Sequence, residues 1–360
     1  MKELIKDQVL FFSGNGNHQL GVKILVSLGE FIGADLYFRH INFARFGDAE
    51  QDDKIPKYEE VAGKTIVLYQ SMYTAELQEE FLQLCWALKH QYQAQHIIAV
   101  VPFLRFRRQD HHEKNEEINR LRMLIDRLAH AGVNQLVVAT PHSVENMETN
   151  CRDFGIGFFP IDMSENFART IKPFLAAAGI TETAADKVII YAPDEGSIYR
   201  AIMLARLLGR GVAFNLKKRG LNNAAEIIQA EKEEILRLTE RCKKTFNFPD
   251  LYYATPENIR GKVILMIEDE IASGETANKT GHLLKSFGAQ TIFFAATHAV
   301  CTPGWQRKLF FDNPFEKTFI ADSIPRSYEN RTGGLMHDVT VSETIAAELF
   351  QILRRHFHKN

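Results

Sequence analysis

Short runs rich in β-branched residues alternate with longer amphipathic stretches along the chain, and this alternation constrains the fold more than any other feature. The strand-like runs are Val9–Phe12, Thr65–Gln70, His96–Pro102, Gln135–Thr140, Lys187–Ala192, Gly211–Leu216, Lys262–Glu268 and Thr291–Ala296. Between them, Ala75–His90, Asn115–Ala131, Ile198–Gly209 and Ala277–Phe287 carry apolar residues at helical spacing. Strand–helix–strand alternation predicts an α/β fold, with parallel sheets covered by helices on both faces. Ligands of such sheets bind beyond the carboxyl ends of the strands. The residues just after each strand therefore matter most.

The pattern also repeats. Lys64–Gly132 and Lys187–Gly288 each read strand, helix, strand, loop, helix. With 360 residues, and about 150 residues per domain as a prior, two domains are expected. Their boundary is placed near Phe159–Asn166, giving domains 1–160 and 161–360. Leu221–Lys244 departs from the rest. Its charges, with Ile227, Ile228, Ile235 and Leu238 between them, read as an exposed amphipathic helix within an insertion at about 221–250.

Composition narrows the function. Apolar residues at 45% and charged residues at 24% exclude a disordered chain. A net charge of −2 offers no basic field for nucleic acid. Cys85, Cys151, Cys242 and Cys301 are too widely spaced for a zinc motif or a small disulfide scaffold, so free and mostly buried thiols are expected. No apolar run reaches the roughly 20 residues of a membrane span, and the N-terminus lacks a signal-peptide core. A soluble cytoplasmic protein with no membrane partner is the expectation.

One loop carries chemistry by its residues alone. Glu268-Asp269-Glu270-Ile271-Ala272-Ser273-Gly274-Glu275-Thr276 follows a strand and opens a helix. Adjacent carboxylates at a strand end are costly unless they meet a cation or hydroxyls. A Ser-Gly-x-Thr turn at a helix start offers N–H groups and hydroxyls to an anion. The pair suits a sugar phosphate, with carboxylates on ribose hydroxyls and the nest on phosphate. An ordinary capped strand–turn–helix has the same pattern. Lys217-Lys218-Arg219 could by itself be a solvated loop, and His111-His112-Glu113 is read as a charged loop without metal. His356 and His358 are read as solvated.

In order along the chain, further segments join these. They are Phe12-Ser13-Gly14-Asn15, Arg45-Phe46-Gly47-Asp48-Ala49-Glu50, Val101-Pro102-Phe103 with Arg108-Gln109-Asp110, Thr140-Pro141-His142-Ser143, Pro193-Asp194-Glu195-Gly196 and Ala296-Thr297-His298. Together with the lysine-arginine loop and the Glu268–Thr276 loop, they resemble the ribose-phosphate pyrophosphokinase (PRPP synthetase) family from Phe11 to about Leu353. The matching family patterns are FSGN, RFSDGE, PY…ARQD, DLHA and PDxGG. The resemblance implies two phosphoribosyltransferase-like (type I) domains, each a mainly parallel sheet flanked by helices. It implies transfer of the β,γ-diphosphate of ATP to the anomeric hydroxyl of ribose 5-phosphate, leaving AMP. Phe46 and Arg108 would sandwich adenine, with Asp48, Glu50, Gln109 and Asp110 around it. Phe46 and the acidic residues would serve a neighbouring subunit, so a homo-oligomer, dimer to hexamer, is implied. His142 and Asp194 would hold ATP phosphate and Mg2+, and Lys217 and Arg219 would neutralise the diphosphoryl group in flight. Asp194, Glu268, Asp269, Ser273, Gly274, Glu275 and Thr276 would bind the acceptor ribose and its phosphate.

The acceptor side departs from the family pattern, which is roughly D-D-x-x-D-T-x-G-T. Glu268 replaces the first Asp, Ala272 a later Asp, and Glu275 a glycine beside the 5-phosphate. Like charges about 4 Å apart at an effective dielectric of about 20 cost roughly 4 kcal/mol. Either Glu275 turns away or the acceptor is not plain ribose 5-phosphate. Thr140 also stands for Asp, and Asn115-Glu116 for a Ser-Arg pair near the family's allosteric phosphate site, which predicts weak phosphate activation. Three readings follow. The first and favoured one is a pyrophosphokinase with a larger acceptor such as ADP-ribose, as in NAD-salvage members of the superfamily. The second is an ordinary PRPP synthetase. The third is a non-catalytic regulatory subunit, against which the retained Phe46, Arg108, His142, Asp194, Lys217 and Arg219 argue.

Overall fold

The computed structural model describes residues 2–48, 50–55, 58–109, 118–180, 187–215 and 224–358, with the backbone alone at 58 and 224–232. In chain order the first elements are α1 (Lys2–Gln8), β1 (Val9–Ser13), α2 (His18–Ile32), β2 (Thr65–Tyr69), α3 (Ala75–Trp86), β3 (His96–Val100), α4 (Arg120–His130), β4 (Gln135–Ala139), α5 (Val144–Asp153) and β5 (Gly157–Ile161). There follow α6 (Ser164–Ala177), β6 (Val188–Ala192), α7 (Ile198–Leu208), β7 (Gly211–Phe214), α8 (Ala224–Phe246), β8 (Leu251–Tyr253) and α9 (Pro256–Ile259). The last are β9 (Val263–Ile271), α10 (Glu275–Ser286), β10 (Thr291–Ala299), β11 (Lys317–Ala321), α11 (Tyr328–Arg331), β12 (Met336–Val339) and α12 (Ser342–His358).

Two compact units result. The first comprises Met1–Ile161, Ser323–Pro325 and Thr340–Asn360, and the second Asp162–Asp322 and Arg326–Val339. The expected continuous domain over 161–360 is therefore corrected at its C-terminal end. The cause is an apolar stripe on α12: Ile345, Ala346, Leu349, Ile352 and Leu353 are all buried. The helix packs along α2 and touches β4 and β5, and Phe31 and Phe350 stack with ring centroids 6.0 Å apart. His356, expected in solvent, lies with Nε2 3.1 Å from Thr65 Oγ1 and its ring 4.6 Å from that of His96. His358 is exposed.

In the first unit the strand order is β1-β2-β3-β4-β5, with every neighbouring pair parallel. Strands covered on both faces need apolar residues at every position, and β1 and β2 are buried along their whole length. Leu10, Phe12, Ile66, Leu68, Ile97, Ala99, Leu136 and Val138 share one core with Phe81 and Leu84 of α3, Leu121 and Leu124 of α4, and Met147 of α5. In the second unit the order is β12-β11-β10-β9-β6-β7-β8, again all parallel. From β6 the chain passes through α7 to β7 on one side, and from the adjacent β9 through α10 to β10 on the other. That is a topological switch point, where open α/β sheets bind ligands.

Helix α8 covers most of the segment expected as an exposed amphipathic helix, and it is not merely solvated. Leu238 and Cys242 are buried, Arg241 pairs with Glu195, and Arg206 donates to the Phe246 carbonyl. Cys85, Cys151 and Cys242 are free and buried, and Cys301 is free and half-buried. Burial pushes all four thiols up, which disfavours the reactive thiolate. Among the described residues no helix is long and apolar enough to cross a membrane.

The docking of α12 gives a measurable outcome. Leu349 is 1% exposed, so Leu349→Ala should cost about 2–5 kcal/mol of stability. Equilibrium urea denaturation, followed by circular dichroism, checks it.

Candidate functional site

The second unit assembles its site at the switch point. Parallel register pairs Ile190 with Leu265 and Tyr191 with Met266, so β6 and β9 run out side by side. Beyond β6, Asp194 caps a short helical turn: its Oδ1 accepts from the Ser197 N–H at 3.0 Å and lies 2.8 Å from Ser197 Oγ. The same hydroxyl lies 3.0 Å from Oε2 of Glu268 on β9. Ser197 is fully buried, and Glu268 and Asp269 are buried as well. Burial first, then the neighbouring Asp194 and Asp269 charges, push the Glu268 carboxyl up to about 8, against relief from Arg200 and the Ser197 bond. A carboxyl that keeps its proton can donate to Ser197, whose own O–H then donates to Asp194.

The turn after β9 leads into α10 through Gly274, whose φ of 75° is a left-handed conformation that favours glycine. Ser273 Oγ accepts from the Glu275 N–H at 3.3 Å. The first turn of a helix leaves N–H groups without intrahelical partners, and these suit an anion. Glu275 starts the helix, but its carboxylate is held 2.9 Å from Lys308 Nζ and 3.0 Å from Lys279 Nζ. Hydrogen bonds from Lys308 and Lys279 hold its pKa below the usual glutamate value. Thr276 follows on the first turn, half-buried.

In the first unit, the loops after β3 and β4 lie on adjacent parallel strands. The β3 loop carries Arg108 and Gln109, both exposed. The Gln109 N–H donates to the Phe106 carbonyl at 2.8 Å, and Arg120 reaches Gln109 Oε1 at 3.4 Å. The β4 loop carries His142, half-buried. Each loop contains a non-glycine residue in left-handed backbone, Phe106 (φ 61°) and Thr140 (φ 40°). Such positions cost about 1–3 kcal/mol each and concentrate at functional sites. Phe46, Asp48 and Glu50 sit at the turn of a two-stranded ribbon bridged at Asn42–Lys54 and Arg45–Gln51. The Phe46 N–H donates to the Glu50 carbonyl at 2.9 Å, the Glu50 N–H donates to Asp48 Oδ1 at 3.1 Å, and the Phe46 ring is 56% exposed.

Asp110, His111, His112, Glu113, Asn115, Glu116, Lys217 and Arg219 lie outside the described residues. Among the described residues no cluster of three or more histidine, cysteine or acidic side chains could hold a metal by itself. Two participants escaped the reading of the sequence. Ser197 could have been found, because it occupies the last glycine position of the PDxGG pattern. Lys308, the partner of Glu275, carried no local signal.

The capping aspartate and the Ser-Gly-Glu-Thr turn stand at the switch point of a parallel sheet, which is where an open α/β sheet binds its ligand. The profile of the N-terminal domain of ribose phosphate pyrophosphokinase matches residues 9–132, and that of the phosphoribosyl transferase domain matches residues 169–304. Ribose-phosphate pyrophosphokinase of Ralstonia nicotianae is 24% identical, over 96% of this chain and 95% of its own. That of Thermosipho africanus is 25% identical, over 90% and 89%. The crystal structure of phosphoribosylpyrophosphate synthetase from Mycobacterium smegmatis shares the fold, with a TM-score of 0.72 at 20% identity, covering 98% of this chain and 100% of that one. The chain belongs to the ribose-phosphate pyrophosphokinase family.

The buried carboxyl has a pH signature. An unfolded glutamate ionises near 4.5, whereas folded Glu268 holds its proton to about 8. Its contribution to stability is therefore fully present below pH 4.5 and is lost as pH rises towards 8. Glu268→Gln does not titrate. The melting temperature of this variant relative to wild type should rise from pH 5 to pH 8, and a difference that stays constant across that window would contradict the assignment.

Proposed function

We propose that the chain is an ATP-dependent pyrophosphokinase that transfers the β,γ-diphosphate of ATP to the anomeric hydroxyl of ribose 5-phosphate and releases AMP. The observation that carries the acceptor is the pairing of Glu275 with Lys308 and Lys279. A paired carboxylate does not oppose a phosphate dianion at the start of α10, so Ser273, Gly274 and Thr276 are left to receive it. The larger acceptor, ADP-ribose, rests on the altered ribose-phosphate loop, on Ala272 and Glu275 above all. With the Glu275 charge compensated, Ala272 remains its main support.

The remaining roles follow family membership and chemistry. Diphosphoryl transfer is mostly positioning and neutralisation of charge. Phe46 and Arg108 would clasp adenine, with Asp48, Glu50, Gln109 and Asp110 around it. The exposed Phe46 ring on its ribbon is supporting geometry for service to a neighbouring subunit in a homo-oligomer. His142 would contact ATP phosphate, and Asp269 would accept from ribose hydroxyls. Mg2+ takes few protein ligands and completes its shell with phosphate oxygens and water. Asp194, a hard oxygen donor at the mouth of its sheet, fits such an ion, and the ion would neutralise diphosphate charge. Lys217 and Arg219 would act mainly on the group in flight.

An assay of AMP release from ATP and Mg2+ with a panel of acceptors tests this. Ribose 5-phosphate should give a kcat/KM at least about tenfold above ADP-ribose, because a tenfold ratio needs only about 1.4 kcal/mol in the transition state. A preference for ADP-ribose would restore the larger acceptor, and no AMP with any ribose would leave the regulatory-subunit reading. Lys217→Ala and Arg219→Ala should each lower kcat by about 10²–10³ with ATP affinity nearly intact. Steady-state kinetics beside ATP titration separates the two quantities, and near-wild-type turnover in both variants would remove the loop from the mechanism.

A further inference from the structure

The Glu268–Ser197–Asp194 chain points to a division of labour within the acceptor loop. Glu268 Oε2 and Asp194 Oδ1 converge on one hydroxyl, at 3.0 and 2.8 Å, and that hydroxyl belongs to a residue with no exposure to solvent. The Ser197 N–H binds the same Asp194 oxygen at 3.0 Å. Glu268 is thus committed to a buried partner on the β6 side of the switch point. Side chains alternate along a strand, so Asp269 points to the opposite face of β9.

The two departures from the family pattern also fit each other. Glutamate stands at 268 where the pattern has aspartate, and serine stands at 197 where PDxGG has glycine. An aspartate is one methylene shorter, and a glycine offers no hydroxyl. Either change alone leaves a buried polar group without its partner, which costs more than removing both.

We infer that Glu268 is a positioning residue that sets the Asp194 carboxylate through the Ser197 hydroxyl, and that it is not itself a ligand of the ribose. This rests on the pyrophosphokinase reading above. What matters at 268 is then reach and hydrogen bonding rather than negative charge. Glutamine keeps both, because its amide N–H can donate to Ser197 Oγ.

The test compares Glu268→Gln, Glu268→Asp, Ser197→Ala and the Glu268→Asp/Ser197→Ala double variant in AMP release at saturating and limiting Mg2+, with melting temperatures to verify folding. Glu268→Gln should stay within about threefold of wild type. Glu268→Asp and Ser197→Ala should each lower kcat/KM about tenfold or more and raise the Mg2+ concentration needed for half-maximal rate. The double variant should be no worse than the poorer single, since residues that act as one unit are not additive. A Glu268→Gln loss as deep as that of Glu268→Asp would make the charge a direct ligand contact and overturn the inference, as would multiplicative losses in the double variant. Crystal structures of wild type and Ser197→Ala decide the same point without turnover. The Asp194 carboxylate should leave its position in the variant, and an unmoved Asp194 would overturn the inference. A wild type that releases no AMP would instead remove the pyrophosphokinase reading while the crystallographic comparison still reads the positioning.

Discussion

Parallel pairing of β6 with β9 is the constraint on which the second unit depends. Parallel strands place every carboxyl end on one edge of the sheet, and successive strands need crossover helices to get there. Because α7 carries the chain from β6 one way and α10 carries it from β9 the other way, the two following turns are not covered by their own crossovers. Asp194 and Ser197 come from one turn and Glu268 from within β9, 71 residues from Ser197 in sequence. No local propensity could bring them within hydrogen-bond distance. The register of β6 against β9 does, and the apolar side chains that fill those strands (Ile189, Ile190, Ile264, Leu265) fix the register by their burial.

The strands that could be read from the sequence are β1 to β4, β6, β7, β9 and β10, and they include the middle of each sheet. β8, β11 and β12 were not anticipated. β8 is three residues long, and β12 carries His337 and Asp338 in its interior, so periodicity has little to act on. β5, Gly157–Ile161, contains glycine and proline and lies at the sheet edge, where proline costs no ladder bond. The destination of α12 was also not legible. An amphipathic stripe announces that a helix needs a partner, but not which unit supplies it.

The candidate site divides in the same way. Residues that follow strands were identifiable, because the fold class says where to look. Asp194 and the Ser273–Thr276 turn lie beyond β6 and β9, and Glu268 and Asp269 lie in the C-terminal half of β9 itself. What could not be read was how these groups are satisfied. Glu268 looked like a second ribose ligand beside Asp269, and its hydrogen bond to Ser197 is a tertiary fact. Its raised pKa has the same origin: burial and two neighbouring carboxylates favour the proton.

At 275 a glutamate stands where the family pattern has a glycine. At that position a glutamate brings one negative charge to the first turn of α10. The helix dipole itself favours an acidic side chain there, so the residue is locally stable whatever the ligand. The conflict arises only with an incoming phosphate, and the two lysines that meet Glu275 stand at different distances along the chain. Lys279 is the i+4 neighbour on the same helix, while Lys308 comes from beyond β10. With two ammonium groups against one carboxylate, the local sum is positive. Such partly exposed pairs add little to stability, but they orient the carboxylate, and orientation decides whether it opposes a bound phosphate. A single altered position in a motif therefore says less about substrate than the charges its neighbours bring to the same turn.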